Sequence, residues 1–261
     1  DVAVTGVQTC ALPILKNMEI NMISSELNID SPVNQFVNKF PNSIPILQNL
    51  GIDFCCGGQN SLAKVCAEKG LDPKLLLEKL CTTYTENKSN DYKDWTKATL
   101  TEIVDHLEST HHVYVKKTLP RLTDLMTRVM GAHGENHPEV LRLDEYVREV
   151  VADLGPHLMK EEQILFPAIK QMDLSLEEFH CGSIQNPIQV MKIDHDNIGN
   201  IFLKIRKLTK DFNLPKGACS TWGALYKALK DLEEDTHLHI HKENNILFPM
   251  VIEAEQNFSN C

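Results

Sequence analysis

One pattern of chemically capable residues occurs twice in this chain. His157-Leu-Met-Lys-Glu161-Glu-Gln-Ile-Leu-Phe-Pro167 recurs as His239-Ile-His-Lys-Glu243-Asn-Asn-Ile-Leu-Phe-Pro249, with His, Lys, Glu, Ile, Leu, Phe and Pro at identical offsets 82 residues apart (239 − 157). A single His stands upstream of each copy, His112 by 45 residues (157 − 112) and His195 by 44 (239 − 195). On a helix, residues four apart share a face, so each His-x-x-x-Glu offers an imidazole and a carboxylate to the same space. Brought together, four imidazoles and two carboxylates make a dinuclear metal site. Mixed nitrogen and oxygen ligation with open positions suits iron or manganese, whereas zinc more often takes thiolates or three nitrogens and calcium takes oxygen alone. With two His on each ion and Glu161 and Glu243 bridging, octahedral preference leaves room for a bridging oxygen and an open position. O2, NO, peroxide or a departing iron would act there. The Ile-Leu-Phe-Pro tails read as core packing, but packing alone does not require the repeated polar residues.

Such ligands must be held by helices. The third of four long helical segments shows this best, because Ile188, Met191, His195, Ile198, Phe202 and Ile205 fall on one face and embed His195 in an apolar stripe. The first segment opens on Thr99-Leu-Thr-Glu102, a capping box, and runs to about Met130, with a kink expected at Pro120. The second runs from about Glu139 to Lys170, the third from Asn186-Pro187 to about Lys210, and the fourth from about Ser220 to Ala254. Facing helices that project carboxylates and histidines inward are an established way to hold two irons. Nothing reads as a strand, so the expected class is all-α, a four-helix bundle behind a small helical unit.

That small unit is expected over residues 28–81. Ser31-Pro32 starts a helix, Pro41 stops it, and Gly51 ends a second one in the left-handed region. Ser61 and Asp72-Pro73 open two more, after Cys55-Cys56-Gly57-Gly58. Residues 82–96 are polar and aperiodic and read as a linker, leaving 97–256 for the bundle. Residues 1–17 lack a starting Met and the basic region of a signal peptide, and are expected to be a non-native or disordered leader.

The chain has 261 residues, 42% of them hydrophobic and 24% charged, and a net charge of −10. This excess of acid argues against nucleic acid or an anionic membrane surface as partner, and no apolar run approaches the ~20 residues that span a bilayer. Without an export signal the eight cysteines are expected to be reduced, in the cytoplasm. Cys219 reads as unremarkable. A homodimer would suit the small unit, whose few residues make a weak core.

Several residues stay ambiguous. His111 and His112 are adjacent, so only one is expected to face inward; periodicity through Val104, Leu107 and Val115 favours His111, the repeat offset His112. His237 and His241 flank His239 at two residues' distance and are expected to be exposed, while His106, His133, His137 and His180 read as surface or loop. Glu162 and Glu108 are weighed as carboxylates behind the ligands and assigned to the solvated surface.

His112, His157-x-x-x-Glu161, His195 and His239-x-x-x-Glu243 resemble the ligand set of a hemerythrin-like di-iron domain, which favours His112 over His111. Joined to Asp53-Phe-Cys-Cys-Gly-Gly58, they resemble the Repair of Iron Centers family, from about Ser31 to the C-terminus. The resemblance implies a hemerythrin-like up-down four-helix bundle with His112, His157, Glu161, His195, His239 and Glu243 on two non-haem irons joined by an oxo or hydroxo bridge. It also implies a cytoplasmic stress protein that helps repair iron–sulfur clusters damaged by nitric oxide or peroxide, as iron donor or NO-reacting centre. Its partners would be damaged iron–sulfur proteins, with NO, O2 or peroxide as small ligands. The alternatives are an O2 or NO carrier or sensor, and a di-iron NO reductase. Cys55 and Cys56 are the candidate thiols, as a redox switch or a transient ligand, since a ring closed between adjacent cysteines is strained and readily reduced.

Overall fold

A computed structural model describes residues 27–86, 93–175 and 183–259. The expected leader, part of the linker, and Cys10, His180, Cys181 and Cys261 lie outside them. Chain contacts separate two compact units, Asp1–Thr96 and Lys97–Cys261. The described residues contain no strand, only an isolated bridge between Pro32 and Ser61, and the chain is all-α.

The first unit is built from α1 (Val33–Lys39), a 3-10 turn (Pro41–Ser43), α2 (Ile44–Asn49), α3 (Leu62–Lys69) and α4 (Pro73–Glu86). Its punctuation follows the local chemistry. The Ser61 hydroxyl accepts from the Lys64 N–H to cap α3, Gly51 and Gly70 adopt φ of +61° and +66°, and Asp72 accepts from the Lys74 N–H at the head of α4. Ser31 departs from expectation: α1 begins one residue later, after Pro32, without a side-chain cap. Val33, Phe36, Phe40, Leu47, Phe54, Leu62 and Leu80 form this unit's buried apolar set.

The second unit is an up-down bundle of four long helices, three of them interrupted by a π-helical turn. Helix α5 comprises Leu100–His106, a π-turn Leu107–His112 and Val113–His133; α6 comprises Pro138–Lys160, a π-turn Glu161–Leu165 and Phe166–Ser175. Helix α7, Gln185–Thr209, is uninterrupted, and α8 comprises Ser220–Lys242, a π-turn Glu243–Leu247 and Phe248–Ser259. The capping box forms as the sequence predicts, with Thr99 accepting from the Glu102 N–H and the Glu102 carboxylate accepting from the Thr99 N–H. Helix α5 packs against α6 and α8, and α6 against α7. Away from the histidines the interior is filled by Val115, Leu122, Met126, Val147, Leu154, Phe202, Trp222 and Leu229.

The π-turns have a local cause. The Phe166 N–H donates to the Glu161 carbonyl and the Phe248 N–H to that of Glu243, each five residues back. Pro167 and Pro249 come next, and proline has no N–H and clashes with the carbonyl four residues before it. A widened turn immediately upstream relieves that clash, so the repeated proline marks the repeated π-turn. Pro120, where a kink was expected, lies inside the continuous Val113–His133 segment; α5 departs from α geometry upstream, at Leu107–His112.

Past α7, Lys210, Asp211 and Phe212 take φ of 50°, 57° and 59° in succession, a left-handed turn that L-residues resist by about 1–2 kcal/mol each. Arg206 holds it, lying 5.4 Å over the Phe212 ring, pairing with Asp211 and donating to the buried Glu233 at 2.6 Å. Lys210, exposed at the helix C-cap, makes none of these contacts. Lys210→Gly should therefore stabilise the bundle by about 0.5–1 kcal/mol, the lost strain offset in part by glycine's larger unfolded-state entropy. An unchanged or lower midpoint in chemical denaturation would contradict this strain.

Candidate metal centre

Two of the π-turns begin at the two glutamates of the repeat, and the third ends at His112. All six expected ligands are buried in the bundle, Glu161 and Glu243 with 0% exposure. Each carboxylate faces both ways. Glu161 Oε1 lies 3.1 Å from His157 Nε2, and its Oε2 lies 3.4 Å from His112 Nε2. Glu243 Oε2 lies 3.1 Å from His195 Nε2, and its Oε1 lies 3.3 Å from His239 Nε2. Two donor groups result, His157, Glu161, His195 and Glu243 in one, and His112, Glu161 and His239 in the other. Donors about 3 Å apart are what one cation with bonds of about 2.1 Å requires of adjacent octahedral ligands.

The donor atoms fit a bound cation and little else. Nε2 of His112, His195 and His239, and all four carboxylate oxygens of Glu161 and Glu243, are buried without a hydrogen-bond partner. One such atom costs about 1–3 kcal/mol, and a whole set would consume most of a domain's ~5–15 kcal/mol stability. Cations supply the missing partners. The donor set of imidazoles and carboxylates, without sulfur, suits iron.

Behind the donors, the two halves repeat a supporting arrangement. His112 Nδ1 meets Glu162 Oε1 at 2.7 Å, and His195 Nδ1 meets Asn244 Oδ1 at 3.0 Å; Glu162 and Asn244 are equivalent in the repeat (162 + 82). The Phe166 ring lies 5.4 Å from His112 and the Phe248 ring 6.1 Å from His195, the latter stacked within 2°. The third correspondence is asymmetric. His157 Nδ1 lies 3.4 Å from Asp194, which also pairs with Lys160. In the other half His111 takes the place of Asp194: its ring stacks on His239 at 5.4 Å, and its Nε2 meets Lys242 Nζ at 2.7 Å. Its Nδ1 meets Asp235 Oδ1 at 2.9 Å.

These contacts correct several expectations. His111 and His112 are both buried, because the π-turn that ends at His112 breaks the 100° spacing on which mutual exclusion rested. Of the two, only His112 points a nitrogen at Glu161; both ring nitrogens of His111 are engaged elsewhere. Glu162 is not a bystander on the surface but the partner of His112, shared with Lys116, while Glu108 pairs with Lys170 away from the donors. His241 is buried rather than exposed, and His106 is half-buried against Lys242 Nζ at 2.7 Å. His133 and His137 pack on Trp222 at 4.8 and 5.0 Å. Of the Ile-Leu-Phe-Pro tails, Leu165, Phe166, Ile246, Leu247 and Phe248 are core as expected, but Ile164 and both prolines are exposed; the phenylalanines also wall the imidazoles. The supporting residues had one sequence signal, their places in the repeat: directly before the lone His, and directly before and after the Glu.

The metal-free electrostatics are those of a tightly paired cluster. Burial pushes Glu243 up, but His239 and His195 outweigh it and hold the carboxyl well below its ordinary range. Burial and the neighbouring Glu243 push Glu161 up, and His157 and His112 bring it down. Burial pushes His157 down, yet Glu161, Glu243 and Asp194 raise it to about 9.

The cysteines occupy two kinds of setting. Cys55 is buried and Cys56 half-buried, with sulfurs 4.0 Å apart. The contact with Cys56, then burial, push the Cys55 thiol well up. Cys219, at the start of α8, is not unremarkable, because His133 and the helix's first backbone N–H groups pull its thiol down to about 7.

Comparison with known proteins followed from this geometry. Residues 102–251 match the hemerythrin HHE cation binding domain family, and residues 29–84 match a domain of unknown function, DUF542. A "probable iron-sulfur cluster repair protein" of Haemophilus influenzae is 34% identical over 212 residues, 81% of this chain and 92% of the relative. The "iron-sulfur cluster repair protein YtfE" of Escherichia coli is 34% identical over 230 residues, 87% and 98% of the two chains, and that of Shigella boydii is equally similar.

Two tests follow from the supporting shell and the charge pairing. Glu162→Ala and Asn244→Ala should each weaken metal binding about 10–100-fold, as loss of an imidazole's outer partner commonly does, while Lys116→Ala changes it little; equal affinities in chelator competition would dismiss the shell. In metal-stripped protein His157 stabilises the fold fully below its unfolded value of about 6.5, and this contribution disappears as pH rises through about 9. Glu161 and Glu243 contribute with the opposite sign, so stability falls again in acid as they protonate. Thermal unfolding of the stripped protein against pH should therefore peak between these limits, and a monotonic rise toward alkaline pH would refute the pairing.

Proposed function

The chain belongs to the hemerythrin HHE cation-binding family and, within it, to the iron–sulfur cluster repair proteins, and from that membership we propose that it helps repair iron–sulfur clusters damaged by nitrosative or oxidative stress. The cofactor in this reading is two non-haem iron ions joined by an oxo or hydroxo bridge, and the working compartment is the cytoplasm. His157 and His195 would hold one ion and His112 and His239 the other, with Glu161 and Glu243 facing both pairs. The observation that carries the reading is the convergence of the buried, unpartnered Nε2 atoms of His112, His195 and His239 on the four unpartnered oxygens of Glu161 and Glu243.

When bound, the ions supply a releasable iron pair that reacts with NO. The chain's own residues do the rest. Glu162 and Asn244 accept from Nδ1 of His112 and His195, which leaves Nε2 free to ligate and fixes each ring's orientation. Phe166 and Phe248 exclude water from one side of those rings. No protein thiolate belongs to the donor set. Mixed imidazole and carboxylate ligation with open positions, unlike a closed four-thiolate cage, favours exchange and release over permanent storage. Cys55 and Cys56, in the other unit, are the candidate thiols of the repair reaction. Damaged iron–sulfur proteins are the partners, and NO, O2 or peroxide the small ligands. No helix among the described residues is long and apolar enough to cross a membrane.

The test is anaerobic purification, with iron and the visible spectrum measured before and after NO, then iron transfer to an apo-cluster protein. About two irons per chain are expected, with a near-ultraviolet band that NO abolishes and transfer that restores the acceptor's cluster. Glu161→Ala/Glu243→Ala should abolish the near-ultraviolet band and transfer. Zinc, or no metal, in folded protein would overturn the site, and stable reversible O2 binding without transfer would mark a carrier instead.

A further inference from the structure

The turn Asp53–Gly58 of the first unit is wound around a carboxylate. Asp53 Oδ1 accepts from the backbone N–H groups of Cys55 and Cys56, each at 3.0 Å, and from the Cys55 thiol at 3.2 Å. Its Oδ2 accepts from the Gly57 N–H at 2.8 Å. The tightness of this winding requires glycine at position 58, where a Cβ would come within 2.3 Å of the Phe54 carbonyl oxygen. The result is unusual for adjacent residues, whose side chains ordinarily diverge. Both sulfurs lie on the carboxylate's side, and Asp53, Cys55 and Cys56 each bring a ligand atom within 4.8 Å of the others.

We propose that Asp53, Cys55 and Cys56 form a second metal site, separate from the bundle centre, that binds one thiophilic divalent cation through two thiolates and a carboxylate oxygen. The sulfurs stand 4.0 Å apart. Two metal–sulfur bonds of about 2.3 Å meeting at about 120° span about 4.0 Å, so an ion can enter without rearranging the turn. A disulfide, by contrast, needs its sulfurs at about 2.05 Å. Asp53 Oδ1, 3.2 Å from Cys55 Sγ, subtends about 95° at such an ion for a metal–oxygen bond of about 2.0 Å. On binding, each thiol releases its proton to solvent. The oxygen that accepted the Cys55 S–H then has a lone pair for the cation. Asp53 is exposed and Cys56 half-buried, so the ion enters from the surface and a fourth position stays open to water or to another protein's ligand. Two sulfurs with one oxygen select Fe2+, Zn2+ or Co2+ over Mg2+ or Ca2+. The proposal gives the thiol role suggested above a definite chemistry, but it uses none of the bundle's ligands.

The test is anaerobic titration of the full chain with Co2+ under reducing conditions, followed by near-ultraviolet absorption. Thiolate-to-cobalt charge transfer appears there, and imidazole or carboxylate ligands do not produce it. A band saturating at about one Co2+ per chain is expected. It should vanish in Cys55→Ser/Cys56→Ser and persist in Glu161→Ala/Glu243→Ala, so the two metal readings fail independently. Absence of the band in the wild-type protein overturns the site, as does its persistence in a Cys55→Ser/Cys56→Ser variant that unfolds at the wild-type temperature. Should that variant not fold, Cys56→Ser alone must remove about half the intensity, one of two thiolates; an unchanged band would be equally fatal.

Discussion

Two carboxylates with no solvent exposure, Glu161 and Glu243, stand in one pocket of this bundle. Burying one unpaired charge costs several kcal/mol, and two of like sign cost more because each opposes the other's ionisation. Everything around them answers that problem. Four imidazoles face the four oxygens at 3.1 to 3.4 Å, the imidazoles are backed by further carboxylates and an amide, and lysines close the outer rim at Glu162 and Asp194. Charge alternates outward behind His112, through Glu162 to Lys116, and behind His157, through Asp194 to Lys160. Such an arrangement suits a cation at its middle, whose charge would offset the burial of both carboxylates.

The π-turns connect that electrostatic demand to the backbone. A glutamate that ligates and an adjacent residue that supports a different helix's histidine must point in set directions. In α6 and α8 these directions are set where the ladder widens, at Glu161–Leu165 and Glu243–Leu247. The prolines that follow exclude a regular ladder there. Thus a feature that looks like a defect in helix propensity fixes the register of the ligands.

The duplication is not perfect, and its imperfections fall on the supporting shell. Glu162 is matched by Asn244 and Asp194 by His111, so His112 and His157 are backed by carboxylates and His195 and His239 by an amide and an imidazole. Helix α7 has no π-turn to match that of α5. Each end of the centre therefore has one imidazole backed by a carboxylate, and the ends differ in what backs the second, Asn244 at one and His111 at the other. Lys242 adds to the difference: burial lowers it to about 8, and its Nζ lies between His106 and His111.

The sequence by itself determined the helical class, the caps at Thr99 and Ser61, the apolar stripe of α7 and the candidate donors other than His112, because these depend on spacing along one helix or on a repeat read directly. It left His111 and His112 open and assigned Glu162 to solvent, because the direction of a side chain depends on how many residues each turn holds. A repeat offset says nothing about that. The hydrogen-bond partners of the candidate ligands come from 37 to 50 residues away in the chain, brought near only when the helices pack. The convergence of two sulfurs on Asp53 was equally invisible, since side chains of adjacent residues normally diverge. Local periodicity selects which residues can ligate, and tertiary packing selects which nitrogen, oxygen or sulfur of each faces the same point, since only packing sets the distances between helices.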